Sequence, residues 1–165
     1  MRKRIQAGFT MVELIVVIVI LGILAAVALP KFMGLEKEAR IAALKSMGGT
    51  MLSAAQMAHG VCMAQNCANN ATLTIEGQTI VFANGYPNNA SIDLLVQSSE
   101  GFTPSAAGNR MTKTGGTTAN CWVQYNQATI AGGIVTAPTI SYQSGVMSNT
   151  PGVEATINAA LRTQC

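Results

Sequence analysis

From Leu14 to Leu29 the chain runs for 16 residues with no polar side chain, and a helix built on that run has no face fit for water. Extended back to Met11 the segment has 19 residues, about 28 Å as a helix at roughly 1.5 Å per residue. A hydrocarbon core is about 30 Å thick. Arg2, Lys3 and Arg4 stand before it, the charge bias that leaves an N-terminus in the cytoplasm. Two readings compete. An ordinary secretory signal is one, with Ala26-Val27-Ala28 as its small-x-small cleavage site. A retained membrane helix is the other. Glu13 separates them, because a secretory leader wants cations where this acid stands. A carboxylate so near the bilayer costs about 2–3 kcal/mol unless it is paired, so it needs a partner.

The chain has 165 residues, enough for one domain with a modest core. With 10% charged and 49% hydrophobic residues it is not a disordered chain. The net charge of +3 comes from the three leader cations, and the rest is balanced. A neutral body argues against a nucleic-acid surface. No G-x-S-x-G, S-x-x-K or phosphate-loop pattern occurs. Asp93 is the only aspartate, which argues against a dedicated calcium loop. His59, the single histidine, reads as a helix-surface or satisfied interior residue rather than a base. No catalytic constellation emerges, and neither a metal nor another cofactor is expected.

Beyond Pro30 the helical period continues through Phe32, Leu35, Ala39, Ala42, Leu44, Met47, Met51, Leu52, Ala55, Ala58 and Val61. Pro30 is expected to kink the rod or loosen a turn, and Gly22 and Gly48-Gly49 to weaken it. Met47, Met51, Met57 and Met63 read as flexible core filler. After Ala68 the composition turns to Asn, Thr, Gly and Ser with short apolar runs. Thr72–Ile75 and Thr79–Phe82 predict a hairpin around Glu76-Gly77-Gln78. Gly85-Tyr86-Pro87-Asn88 reads as a turn, and Ile92, Leu95 and Val96 as a short helix starting near Asn89–Ser91. Met111–Asn120 reads as an exposed loop. Alternation of Cys121, Val123 and Tyr125 predicts a strand, and Gly132-Gly133 a tight hairpin between 129–131 and 134–136. Thr139–Tyr142 adds another strand, and Thr150-Pro151 starts a last helix through Ile157 and Leu161. The predicted class is α+β, a long N-terminal helix packed on a small antiparallel sheet. Trp122 and Tyr125 could line a sugar-binding surface, but one aromatic per strand face is more often core.

The stretch Gly8-Phe9-Thr10-Met11-Val12-Glu13-Leu14, after a short basic leader and before an apolar helix, resembles the class III signal of type IV pilins. Where that family usually has Leu-Ile after the threonine, this chain has Met11-Val12. The resemblance implies that a prepilin peptidase cuts after Gly8 and N-methylates Phe9. It places the family's assembly glutamate at Glu13 and its helix glycine and proline at Gly22 and Pro30. It divides the chain into a cleaved leader (1–8), a transmembrane and polymerisation helix (9–30) and a pilin globular domain (31–165). Two body segments, 81–87 and 120–125, look like pilins of the mannose-sensitive haemagglutinin type. The implied function is a structural subunit of a type IV pilus. The alternatives are a type II secretion pseudopilin and a filament-borne glycan-binding adhesin, the latter with the 111–120 loop as its contact.

The implied partners are other pilin subunits, the peptidase, an inner-membrane platform, an assembly ATPase, an outer-membrane secretin and a possible surface glycan. The implied location is the inner membrane with the globular domain in the periplasm, then the extracellular pilus. In such an oxidising space the four cysteines become disulfides. Cys62 and Cys67 stand close enough for a local closure if the helix ends between them, and Cys121 and Cys165 then pair, as in the family's C-terminal disulfide-bounded loop. A metal site on His59, Cys62, Cys67 and a third cysteine is the alternative, but H-x2-C-x4-C is no zinc-knuckle spacing and the compartment favours disulfides.

Overall fold

The computed structural model describes residues 9–67, 69–115, 121–143 and 154–165. The chain divides into two units, Met1–Lys37 and Glu38–Cys165. In the first, the described residues from Met11 onward are all helix, the opening part of α1 (Met11–Ala64). Pro30 lies inside α1, which runs on through it. Its ring removes one helical donor, so the Ala26 carbonyl loses its usual partner.

The second unit holds the rest of α1 and all the sheets. In chain order these are β1 (Thr72–Ile75), β2 (Gln78–Ala83), β3 (Tyr86–Pro87), α2 (Ile92–Leu95), β4 (Phe102–Pro104), β5 (Arg110–Lys113), β6 (Trp122–Asn126), β7 (Thr129–Ala131), β8 (Ile134–Thr136), β9 (Thr139–Tyr142) and α3 (Glu154–Gln164). All strand pairs are antiparallel, in sheets ordered β1-β2-β3, β4-β5-β6-β9 and β7-β8. The α+β architecture holds, with three small sheets among the described residues where the sequence suggested one.

One face of α1 serves two of them. Ile41, Leu44, Met47, Met51 and Ala55, three or four apart, pack with Met111, Val123, Tyr125, Ile140 and Tyr142 of the four-stranded sheet. Ile157 and Leu161 of α3 close that core. Further along the helix, Ala58 and Cys62 pack with Ile80 and Phe82 of the three-stranded sheet. Met47 and Met51 are core filler as expected, whereas Met57 and Met63 are exposed. Phe32 and Leu35, in the first unit, are exposed too.

Helix and sheet approach closely at Gly48. A Cβ there would stand 2.9 Å from the Tyr142 hydroxyl, 3.0 Å from Ile140 Cγ2 and 3.3 Å from Val123 Cγ2. At Gly49 nothing lies within 4 Å. Gly48→Val is therefore expected to destabilise the fold by about 3 kcal/mol, the upper end for overpacking. Gly49→Ala should stabilise it by about 0.8–1 kcal/mol through helix propensity. Thermal unfolding of the two variants checks this contrast; equal effects would remove the contact at Gly48.

Three two-residue turns build the hairpins. Glu76-Gly77, Asn84-Gly85 and Gly132-Gly133 all have positive φ at both positions, the type I′ pattern that matches strand twist. This corrects two sequence expectations. The first hairpin turns on Glu76-Gly77 alone, and Gln78 belongs to β2. Tyr86-Pro87 is a strand, because the turn sits one step earlier at Asn84-Gly85. The loop expected over Met111–Asn120 is corrected as well. Met111–Lys113 belong to β5, and Met111 is buried because its register sets it opposite Val123 on the helix side. Residues 116–120 lie outside the described residues, as does the helix start at Thr150-Pro151. The short helix at Ile92 and the strands at 122–126, 129–131, 134–136 and 139–142 stand where the sequence put them.

α3 is tied to α1 near the start of the second unit. Arg162 Nε donates to Glu38 Oε1 at 2.7 Å, and Arg40 Nη1 donates to the Cys165 carbonyl at 3.5 Å. The ion pair is exposed at both ends and contributes about 0–1 kcal/mol.

Candidate functional site

Thr10 and Glu13 begin α1 with a reciprocal pair of contacts. The Glu13 amide donates to Thr10 Oγ1 at 3.2 Å, and the Thr10 amide donates to Glu13 Oε2 at 3.4 Å. The Thr10 hydroxyl also donates to Glu13 Oε2, at 3.4 Å. This is a capping box, threonine at N-cap and glutamate at N3, satisfying amides that the first turn leaves without helical partners. An acid in the first turn also faces the positive end of the helix dipole. Sequence reasoning assigned Glu13 to assembly and passed over Thr10. The signal was the T-x-x-E spacing directly before an apolar run.

Behind that cap, α1 presents Met11 to Leu29 uncovered. Phe9 is 87% exposed, and no residue of the most apolar 18-residue window is buried. By length and composition the helix can cross a membrane. At about 25 cal/mol per Å² of apolar surface, such a strip is strongly driven out of water. Two kinds of cover suit it equally, lipid chains or the same helix from other copies. At Gly22 an added Cβ would meet nothing within 4 Å, so no contact among the described residues requires a glycine there. Gly8 lies outside the described residues, so the structure describes only the Phe9 side of the implied cleavage bond.

The other singled-out residues belong to the second unit. Cys62 is bonded to Cys67 across the end of α1, with Cα atoms 5.0 Å apart. Cys121 is bonded to Cys165, with Cα atoms 4.9 Å apart. His59 is a satisfied residue: its ring stacks on Tyr86 at 4.0 Å, and Nδ1 lies 2.7 Å from the Gly85 carbonyl. A carbonyl only accepts, so Nδ1 carries the proton. His59 thus ties α1 to the Asn84-Gly85 turn. Tyr125 is a core residue, the reading favoured over a sugar-binding surface: its register faces the helix and it is fully buried. Its hydroxyl donates to the Pro87 carbonyl at 2.9 Å. Burial, helped by Tyr86 nearby, pushes its pKa far above the usual phenol range, so it stays a neutral structural donor.

With that geometry in place, known proteins give the same reading of the N-terminus. Residues 3–29 match the model of the prokaryotic N-terminal methylation motif. The chain is 34% identical over 83 residues to fimbrial protein EcpC of Eikenella corrodens, covering 48% of this chain and 54% of that one. It is 38% identical over 52 residues to the type IV major fimbrial protein FimA of Dichelobacter nodosus, covering 32% and 33%. The matches support a type IV pilin family. A related class matches as well. The type II secretion system core protein G of Aeromonas hydrophila is 56% identical over 39 residues, 24% of this chain and 27% of that protein. No solved structure matches the chain. The chain spans about half or less of the length of these relatives.

Proposed function

We propose that this chain is the structural subunit of a type IV filament, anchored and then polymerised through α1. The observation that carries the reading is the uncovered apolar strip Met11–Leu29, headed by a single carboxylate at Glu13. Before assembly lipid covers the strip, with the N-terminus cytoplasmic and the globular domain periplasmic. After assembly neighbouring α1 helices cover it, so one surface serves as both anchor and adhesive. Cleavage follows Gly8, Phe9 becomes the N-methylated terminus, and Gly22 and Pro30 give the helix its local freedom. A peptidase, a membrane platform, an assembly ATPase and a secretin are the machinery this route requires. The chain itself has no phosphate-binding loop, so the energy comes from a partner.

The likeness to core protein G supports a second reading, a pseudopilin that stays in the periplasm. Electron microscopy of sheared surface filaments, with mass spectrometry of their main band, separates the two. Surface filaments built mainly of this chain support the pilin; a chain confined to the periplasm supports the pseudopilin. Sequencing the mature N-terminus is expected to read Phe9 first, carrying one methyl group on its nitrogen. A mature chain starting at Leu29 would overturn both readings and restore the ordinary signal peptide.

A further inference from the structure

Alternation along β5, β6 and β9 sends Met111, Val123, Tyr125, Ile140 and Tyr142 to the helix side. The opposite face carries Arg110, Thr112, Trp122, Gln124, Asn126 and Ser141. These residues form an ordered chain. The Arg110 guanidinium carbon sits 4.3 Å from the Trp122 ring centroid. Nε and Nη2 of Arg110 both donate to Gln124 Oε1, at 3.1 and 2.9 Å. Gln124 Nε2 donates to Asn126 Oδ1 at 3.2 Å, and Asn126 Nδ2 donates to Ser141 Oγ at 3.1 Å.

Two features of this chain point to a ligand. A neutral amide occupies the side-on edge of the guanidinium, and the end-on edge formed by Nη1 and Nη2 has no partner among the described residues. No carboxylate among them neutralises Arg110 either, and the sequence from Thr114 to Val153 holds no charged residue at all. The cation–π contact with Trp122, about 0.5–1 kcal/mol, and the two hydrogen bonds to Gln124 together offset the side-chain entropy of about 2 kcal/mol that orienting an arginine costs, so the guanidinium is held in one orientation. The arrangement is a flat, oriented fork with its bidentate edge open, the geometry that a carboxylate takes. Beside the fork lie amide and hydroxyl groups of the kind that exchange hydrogen bonds with sugar hydroxyls.

We propose that this face binds an acidic polysaccharide. A uronate-type carboxylate takes the Nη1–Nη2 edge of Arg110, and neighbouring hydroxyls take Thr112, Gln124 and Asn126. The face is turned away from α1, so contacts made through the helix leave it open. The site belongs to a single chain and does not depend on polymerisation, so its failure would leave the filament reading intact.

The test measures binding of the full-length chain in detergent micelles to polygalacturonate, with dextran as the neutral sugar polymer and polyglutamate as the carboxylate polymer without sugar. Polygalacturonate is expected to bind, polyglutamate more weakly and dextran not at all. Arg110→Lys keeps the charge but loses the fork, so its affinity is expected to fall by about tenfold or more. Gln124→Glu is nearly isosteric and places an internal carboxylate against Arg110; it should weaken binding by a similar factor while leaving the unfolding temperature close to that of the parent. Absence of polygalacturonate binding, equal binding of polyglutamate, or full affinity in either variant would each overturn the proposal.

Discussion

Glu13→Ala is expected to enter the membrane and be cleaved normally, yet to reach filaments poorly. On the proposed processing, Phe9 presents an α-amino group, mostly cationic at neutral pH, and methylation leaves it able to carry a proton. Glu13 lies four residues on, one helical turn away and on the same side. In the proposed filament, the terminus of one staggered subunit is expected to meet Glu13 of a neighbour among apolar helices, where charges must match. Removing one partner of such a buried pair costs about 3–5 kcal/mol, more than two decades in the equilibrium of that contact.

The capping box sharpens the experiment, because Glu13→Ala removes a cap as well as a charge. Glu13→Gln keeps a capping residue at N3 and deletes only the charge. It is expected to assemble as poorly as Glu13→Ala, while Glu13→Asp retains partial assembly. Immunoblots of the membrane pool and the sheared-filament fraction give the readout. Parental filament yield from Glu13→Gln would leave Glu13 as a helix cap and nothing more.

The second large effect is expected at Cys121–Cys165. This bond closes 44 residues, and in the chain-entropy model a loop of that length stabilises by about 4 kcal/mol. It also holds α3, whose Ile157 and Leu161 complete the main core. The double variant Cys121→Ala, Cys165→Ala leaves no stray thiol and is expected to lose most of that stability. The five-residue closure at Cys62–Cys67 constrains far less of the unfolded chain, so its removal should cost clearly less. Comparing unfolding temperatures of the two double variants decides; equal losses would refute the loop-length account.

Elements whose signals are local could be read from the sequence. The apolar strip, the α1 period, the alternation at Cys121-Val123-Tyr125 and the Gly132-Gly133 turn each declare themselves within a few residues. The Asn84-Gly85 turn was equally local and was hidden only by the proline that follows Tyr86. β4 and β5 were not legible in that way. Phe102–Pro104 has three residues and ends in a proline, and Arg110–Lys113 holds one apolar residue among polar ones. Both are strands because of what they pair with, a dependence on partners that window patterns do not carry. At the candidate site, Glu13 stood out as an acid in an apolar context, whereas the Arg110–Trp122 contact needed the register between β5 and β6 to become visible.

In the proposed filament this chain is also a mechanical part. Within the second unit, Glu38 and Arg40 hold the end of α3 by polar contacts, beside the apolar packing of α1 on the sheets. These polar grips are weak and would slip under load. Behind them runs a covalent route, from Cys165 to Cys121 at the head of β6. β6 is paired with β5 on one side and β9 on the other, so this bond fastens Cys165 to an interior strand of the four-stranded sheet. Cys165 thereby stays joined to the sheet by a covalent bond that does not depend on the polar contacts to α1.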